Sequence, residues 1–500
     1  MRIRALAALL CAALCMPLAA SAAEPVTEPM IMMGYDALAG RDWARSAFFA
    51  RMEELTGVGF SFLQYADAGA YDKAKAGALA GGTLPHVFFK AGLTPQEELR
   101  YAQTGALIDL APLLADHAPN LWALLKAHPD WREAITLPNG MIVALPALVD
   151  PADQVCLWIN KTWLDALHLE VPDSPESLRA ALVAFRDGDP NRNMRQDEVP
   201  LHLIGPWEAR WLMPFFGLAA NDYNLYVDQT GAVRFAPFEP KFAEFLAFLR
   251  DLNQQGLLGP EAFRGVHALL EQAEQDASAL RIGGVISMLP TTLIKPEFAD
   301  QYVAALPAGA AWRDLLGSVW RGTFAVTGAC PDPAAALRWV DALYTEQGAI
   351  LAAAGLEGED FETNEQGKWN FLVHDFRSID TLRAEALMDA AGDALPGIRA
   401  TDFLTAVDYP LQLHVTTQNQ KVAREARLPA PLCYPSEEEQ AEIDALQSAL
   451  GALVDTGIAR FAVGETPLDA EHLAAFEQSL RDAGAERLAE LWQSVIDARE

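Results

Sequence analysis

The spacing of apolar and polar residues changes repeatedly along this chain, and each change predicts an element. An apolar run at 29–35 reads as a short strand. Over 43–56, Trp43, Phe48, Phe49, Met52 and Leu55 fall near one helical stripe, and Gly57 stops it. A second strand is predicted at 58–63, a helix at 71–79 ended by Gly81-Gly82, and a third strand at 86–89. Strands alternating with helices predict an α/β lobe with a largely parallel sheet. Ligands of such sheets bind beyond the carboxyl ends of the strands, which makes Tyr35 and the Phe89-Lys90 corner cleft candidates.

Residues 145–153 carry two prolines and little periodicity, and read as a crossing between lobes. Strand 155–159 and helices 161–167 and 175–186 follow, then an oxygen-rich loop at 189–198 and a strand at 199–204. Gly205-Pro206 ends that strand before an aromatic group, Trp207, Trp211, Phe215 and Phe216. Trp207 and Trp211 are one helical turn apart and can share a face. The helix at 241–255 has Phe242, Phe245, Leu246, Leu249 and Leu252 on its apolar side, with Gly256 past its end. A strand at 284–289 runs into Pro290-Thr291-Thr292, and 317–327 is extended enough to cross back. Helices are predicted at 333–346, 437–461, 469–483 and from 485 onward.

At 500 residues the chain exceeds what one core supports, so two or more lobes are expected. The crossings divide them: 23–147 with 319–400 in lobe 1, and 148–318 with 401–500, including the terminal helices, in lobe 2. The first 22 residues combine Arg2 and Arg4, an apolar stretch and Ala20-Ser21-Ala22, the pattern of an export signal, which places the protein in the periplasm. No later segment has the length of a membrane span. Past the signal, Cys156, Cys330 and Cys433 are too few and too far apart for a disulfide framework, although one pair can bridge. With 68 acidic and 37 basic residues, the formal charge of -31 opposes nucleic acid and anionic membrane. No G-x-S-x-G, Walker A, G-x-G-x-x-G or H-E-x-x-H pattern occurs, which removes several enzyme classes. Paired carboxylates acting on a glycosidic bond remain compatible with the sequence. Asn160-Lys161-Thr162 matches a glycosylation sequon, but its place at a helix start makes Asn160 a cap.

The loop 189–198 has the most specific chemistry. EF-hand loops ligate calcium from positions 1, 3, 5, 7 and 9, which from Asp189 are Asp189, Asn191, Asn193, the Arg195 carbonyl and Asp197. The Gly expected at position 6 is Met194 and the Glu at position 12 is Pro200; Glu198 offers a substitute carboxylate. A polar Asn/Asp turn between a helix and a strand accounts for the same residues.

Several motifs, in their order along the chain, are similar to those of the extracellular solute-binding proteins of ABC importers, family 1, in the long calcium-containing branch that takes in alginate- and glycosaminoglycan-oligosaccharide-binding proteins. They include Leu84-Pro85-His86-Val87, Trp158 to Leu164, Asp189 to Asn193 with Asp197-Glu198-Val199-Pro200, Ala335 to Asp341, Gly367-Lys368-Trp369 and Phe461 to Gly464. The resemblance implies two α/β lobes joined by hinge strands, an oligosaccharide held between them, structural calcium in the loop, and delivery to importer permease subunits by a monomer without turnover. It departs at Arg192 and Met194, where the family has Gly. Aromatic faces suit sugar C–H surfaces, and polar side chains suit the hydroxyls. The strand ends and crossings therefore nominate Tyr35, Phe89, Trp207, Trp211, Thr291, Trp320 and Arg321. Core packing is the competing role for each tryptophan, more so for Trp158 and Trp339, and a hinge brace is the competing role for Arg321. A secreted glycoside hydrolase or lyase, and a sugar sensor for a receptor kinase, are the alternative functions.

Overall fold

The computed structural model describes residues 29–36, 38, 40–150, 154–203, 205–259, 262–263, 280–314, 317–374, 377–388, 395–400 and 410–499. The expected export signal at 1–22 and residues 401–409, where the second part of lobe 2 was expected to begin, lie outside the described residues. The strands of the two principal sheets are, in chain order, β1 (Met30–Tyr35), β2 (Phe60–Tyr65), β3 (Val87–Phe89), β4 (Ala144–Asp150), β5 (Cys156–Asn160), β6 (Gly284–Ser287), β7 (Tyr302–Ala305), β8 (Val319–Val326) and β9 (Gly397–Ala400). The helices that matter below are α1 (Ala47–Thr56), α2 (Ala68–Leu79), α3 (Pro95–Thr104), α4 (Pro175–Asp187), α5 (Pro240–Gln254), α6 (Pro333–Asp341), α7 (Pro410–Glu425), α8 (Glu437–Val463), α9 (Ala470–Asp482) and α10 (Ala485–Asp497).

Lobe 1 is built on a six-stranded sheet in the order β9-β4-β8-β3-β1-β2. β1 is parallel to β2 and β3, and β8 lies antiparallel between β3 and β4. Side chains on both faces are buried. Met32, Phe48, Phe89 and Trp339 fill one layer, and Met33, Phe88, Leu107 and Ala325 fill the other. Lobe 2 has a three-stranded sheet, β6-β5-β7, and a core containing Trp158, Phe185, Leu246 and Trp312. The terminal helices α8 and α10 close that core with Val454, Ile458 and Leu488. Among the described residues no helix is long and apolar enough to cross a membrane. Cys156, Cys330 and Cys433 form no disulfide.

Three sequence expectations change. The predicted helix 43–56 is a 3-10 turn at Trp43–Arg45 followed by α1, because Ser46 is extended and turns Trp43 into the core. The predicted helix 333–346 stops at Asp341, and a new helix starts after Thr345, whose hydroxyl caps the Gly348 amide at 3.0 Å. The aperiodic run 145–153 was expected to be a crossing, yet most of it is β4, deep in the lobe 1 sheet. Pro146, which has no N–H to donate, falls where the β4–β8 register shifts between Trp320 and Phe324. Its carbonyl instead accepts the Tyr344 hydroxyl at 2.6 Å. Gly322 sits in the same irregularity at φ +69°, where a Cβ would lie 2.2 Å from the Leu93 carbonyl oxygen.

Candidate ligand cleft and metal loop

The parallel strands β1, β2 and β3 bring Tyr35, Tyr65 and the Phe89-Lys90 corner out at one edge of lobe 1. That edge borders the start of β8, where the chain re-enters the lobe: Ala91 donates to the Thr323 carbonyl at 2.9 Å and Leu93 to that of Gly322 at 3.0 Å. In lobe 2, Val199 and His202 bridge in parallel to Ile282 and Val285, so 199–203 runs alongside β6. β6 ends at Ser287, opposite Cys156 at the start of β5, where the chain has just crossed from lobe 1. The carboxyl edge of the lobe 1 sheet therefore borders the crossing, the position in which open α/β sheets hold ligands, and in the antiparallel lobe 2 sheet the start of β5 and the ends of β6 and β7 do so.

The lobe 1 edge carries a tyrosine cluster above a buried charge. The Tyr35 and Tyr71 rings stack with centroids 6.1 Å apart, and Tyr65 leans on Tyr71 at 5.9 Å. Below them, Asp36 Oδ2 accepts from Arg41 Nη1 at 2.9 Å and from Trp43 Nε1 at 3.0 Å, with Lys90 Nζ at 3.5 Å. Burial pushes the Asp36 carboxyl up, but Lys90, Arg41 and the indole outweigh it and hold it below the usual range. On the lobe 2 edge, Asp222 Oδ1 accepts from Trp207 Nε1 at 3.0 Å and pairs with Arg313. The Arg313 guanidinium lies 4.2 Å above the Trp211 ring. Its neighbour Trp312 donates to the Val155 carbonyl at 2.8 Å, which ties this group to the crossing.

The expected cleft residues separate into three groups. Tyr35, Trp207, Thr291 and Trp320 are partly exposed on these edges or the crossing. Phe89 and Trp211 are completely buried, which removes them from a ligand surface: Phe89 packs edge-on to Trp43 and Trp339, and Trp211 packs between Trp207 and Trp312. Trp207 and Trp211 do meet, with centroids 5.9 Å apart, but one faces outward and the other is core. Arg321 takes its bracing role. Nη1 donates to the Cys433 carbonyl at 2.8 Å and the guanidinium covers the Tyr434 ring at 4.5 Å. Tyr434, placed with lobe 2 by sequence, packs instead with lobe 1 and donates its hydroxyl to Glu98 Oε2 at 2.8 Å. Burial pushes the Glu98 carboxyl up to about 7.

Sequence reasoning did not nominate Asp36, Tyr65, Asp222 or Tyr223. Tyr65 was hidden because the second strand was ended at residue 63; with Tyr35 and Tyr65 in register, equal strand ends would have found it. The polar run Asn221-Asp222-Tyr223-Asn224 was a visible signal for the other wall.

In the 189–198 loop the oxygens turn inward on the backbone. Asp189 accepts the Asn193 amide on Oδ1 and the Met194 amide on Oδ2, each at 3.0 Å. Asn193 Oδ1 accepts the Arg195 amide at 2.7 Å, and its Nδ2 reaches Asp197 Oδ1 at 2.8 Å. Glu198 differs: both carboxylate oxygens are enclosed without a hydrogen-bond partner among the described residues. Burial and the charges of Asp197 and Asp189 push its carboxyl above the usual range. Asp189, Arg192 and Met194 have φ of 46°, 58° and 60°, so the two positions expected to be Gly do adopt the left-handed conformation. Among the described residues no group of three or more His, Cys, Asp or Glu is gathered closely enough to hold a metal by itself. The loop would have to combine carboxylates with Asn and carbonyl oxygens, and its donor set is all oxygen, as a hard cation requires.

No family model matches the chain. Over 258 residues it is 30% identical to the fructooligosaccharide ABC transporter substrate-binding protein FusA of Streptococcus pneumoniae serotype 4. That match spans 48% of each chain, so about half the length of this curated relative is covered. Among solved structures, a human-milk-oligosaccharide (HMO) binding, ABC-transporter associated solute-binding protein from Bifidobacterium longum infantis superposes with a TM-score of 0.76 at 19% identity, over 94% of this chain and 99% of that one. FusA in complex with kestose gives 0.67 at 20% identity, and the alginate-binding protein AlgQ2 without calcium ion gives 0.62 at 19%; each match covers 94% of this chain and 99% of the other. The chain therefore has the two-lobed fold of these solute-binding proteins.

Proposed function

We propose that this protein is an exported receptor that captures an oligosaccharide between its lobes and delivers it, unaltered, to the permease subunits of an ABC importer. The observation that carries the reading is a pair of aromatic and carboxylate groups, one in each lobe: Tyr35 and Tyr65 with Asp36 at the strand ends of lobe 1, and Trp207 beside Asp222 in lobe 2. Such a pairing suits a ligand with apolar faces and a hydroxyl rim. Closure of the lobes expels water and strengthens those hydrogen bonds. The relatives support the reading, since FusA is a fructooligosaccharide substrate-binding protein and a structural neighbour binds human milk oligosaccharides.

The same reading gives the 189–198 loop a structural calcium ion, held by Asp189, Asn191, Asn193, the Arg195 carbonyl, Asp197 and Glu198. The enclosed, unpartnered Glu198 carboxylate supports it. One solved form of FusA is an EF-hand mutant in complex with fructo-nystose, which favours this reading. The ion's contribution is charge: it would neutralise Glu198 and hold the loop between α4 and the strand that leads to Trp207.

Calorimetric titration with oligosaccharides, paired with small-angle scattering, tests the proposal. Expected are a Kd in the micromolar range or below, about 8 to 10 kcal/mol, a smaller radius of gyration on binding, and unchanged ligand by mass spectrometry. Cleaved products would instead establish a hydrolase or lyase.

A further inference from the structure

The charged groups on the two walls say which kind of oligosaccharide belongs there. Six cations near these edges are engaged by the protein itself. Arg41 and Lys90 face Asp36. Lys75 donates to the Gly92 carbonyl at 2.8 Å and pairs with Glu97 at 3.2 Å. Arg210 reaches the Asp222 carbonyl at 3.2 Å and Asp455 at 3.4 Å. Arg313 pairs with Asp222, and Arg321 is held by the Cys433 carbonyl and the Tyr434 ring. A uronate or sulfate there would meet cations already engaged by a carboxylate, a carbonyl or a ring, so a new ion pair returns less against the cost of desolvating the ligand's charge.

Asp222 is arranged the opposite way. Oδ1 is saturated by the Trp207 indole and Arg313, which fix the carboxylate's orientation. Oδ2 has no partner among the described residues, and the side chain is 39% exposed. It accepts from Trp207, which is half-buried, and is followed in the chain by Tyr223, which is 45% exposed. An oriented acceptor flanked by aromatic surface matches a sugar hydroxyl beside a C–H face. Oδ2 accepts and cannot donate, so it matches a hydroxyl and not a second carboxylate, and the formal net charge of -31 adds a long-range bias against anions.

Resting on the oligosaccharide-receptor reading, we infer that the cleft selects uncharged oligosaccharides and that Asp222 Oδ2 is the lobe 2 acceptor for a ligand hydroxyl. The test is calorimetry of the full chain with two sets of tri- and tetrasaccharides matched in length. One set is neutral (fructo-, manno- and gluco-oligosaccharides) and the other is uronic (alginate and galacturonate oligosaccharides). Saturable binding of a neutral member, with every uronic member at least about a hundredfold weaker, is the expected result. A uronic member binding as tightly as the best neutral one overturns the inference and leaves the receptor reading intact. Binding of neither set overturns the receptor reading and the inference with it. Asp222→Asn keeps an oxygen for Trp207 but weakens the acceptor, so the neutral ligand should bind about tenfold to a hundredfold more weakly. Normal ligand-free unfolding of that variant separates this effect from misfolding. An unchanged Kd in a normally folded Asp222→Asn variant removes Asp222 from the recognition.

Discussion

Asp36 and Glu198 are both enclosed carboxylates, and they are solved in opposite ways. Asp36 has two cations and an indole within reach, and its carboxyl is held below the usual range. Glu198 has two enclosed oxygens without a partner among the described residues, and its carboxyl is pushed up. A buried charge must be paired or must shift its protonation. The contrast teaches which charges belong to the fold and which await something the chain does not supply. Asp36 is complete and organises the floor of the lobe 1 wall. Glu198 is incomplete, and a cation would complete it.

Neutralising each carboxylate in place gives the largest expected difference. Asp36→Asn removes a buried carboxylate shared by Arg41, Lys90 and the Trp43 indole and should cost about 3 to 5 kcal/mol in urea unfolding. Glu198→Gln in the presence of chelator should leave stability equal or higher, because burial and the charges of Asp197 and Asp189 outweigh the backbone amides that favour its ionised form. Two losses of similar size would erase the distinction between the sites.

The next effect comes from the ion itself. Calcium at about a hundred times its Kd should stabilise the protein by about 2.7 kcal/mol, read as a higher Tm, and chelator should remove that gain without abolishing the fold. Asp189→Ala should lack the response. The pH dependence has a definite sign. Glu198 binds a proton more tightly than an ordinary glutamate, and calcium needs it ionised. Calcium affinity should therefore fall as pH drops through the raised Glu198 pKa, with protons released on binding. A calcium titration that leaves Tm unmoved at every pH would mean that the loop is only a turn.

How far the sequence reached depended on whether a feature was local. Periodicity located β1, β5, α4, α5 and the terminal helices to within a few residues, because each carries its own apolar face. The loop 189–198 was legible because its residues are contiguous. The walls were less so. Asp36 is defined by partners at Arg41, Trp43 and Lys90, and Asp222 by Trp207 and Arg313, separations that no local pattern encodes. Phe89 and Trp211 were nominated because a strand end and an aromatic run look alike whether the ring points to solvent or to the core. β4 was missed because Pro146 argues against an interior strand, and only the pairing with β8 reveals the bulge that accommodates it.

The smallest effect tests whether the loop's departures from glycine weaken it. Met194 is 92% exposed at φ 60°, so its side chain adds no packing while its Cβ strains the backbone. A non-glycine residue in the left-handed region costs roughly 1 to 2 kcal/mol. Glycine relieves that strain but gives the unfolded chain more freedom, worth about 0.4 to 1 kcal/mol. The balance favours Met194→Gly by about 0.5 kcal/mol, and Arg192→Gly, at φ 58°, by a similar amount. Both should tighten calcium binding slightly, because a loop already relaxed in its closed shape loses less on ligation. The same substitutions should leave oligosaccharide affinity unchanged, since the loop lies outside both walls. A destabilised Met194→Gly variant would mean that Met194 makes a contact worth more than its strain, and the loop would then be held by its own side chains rather than by an ion.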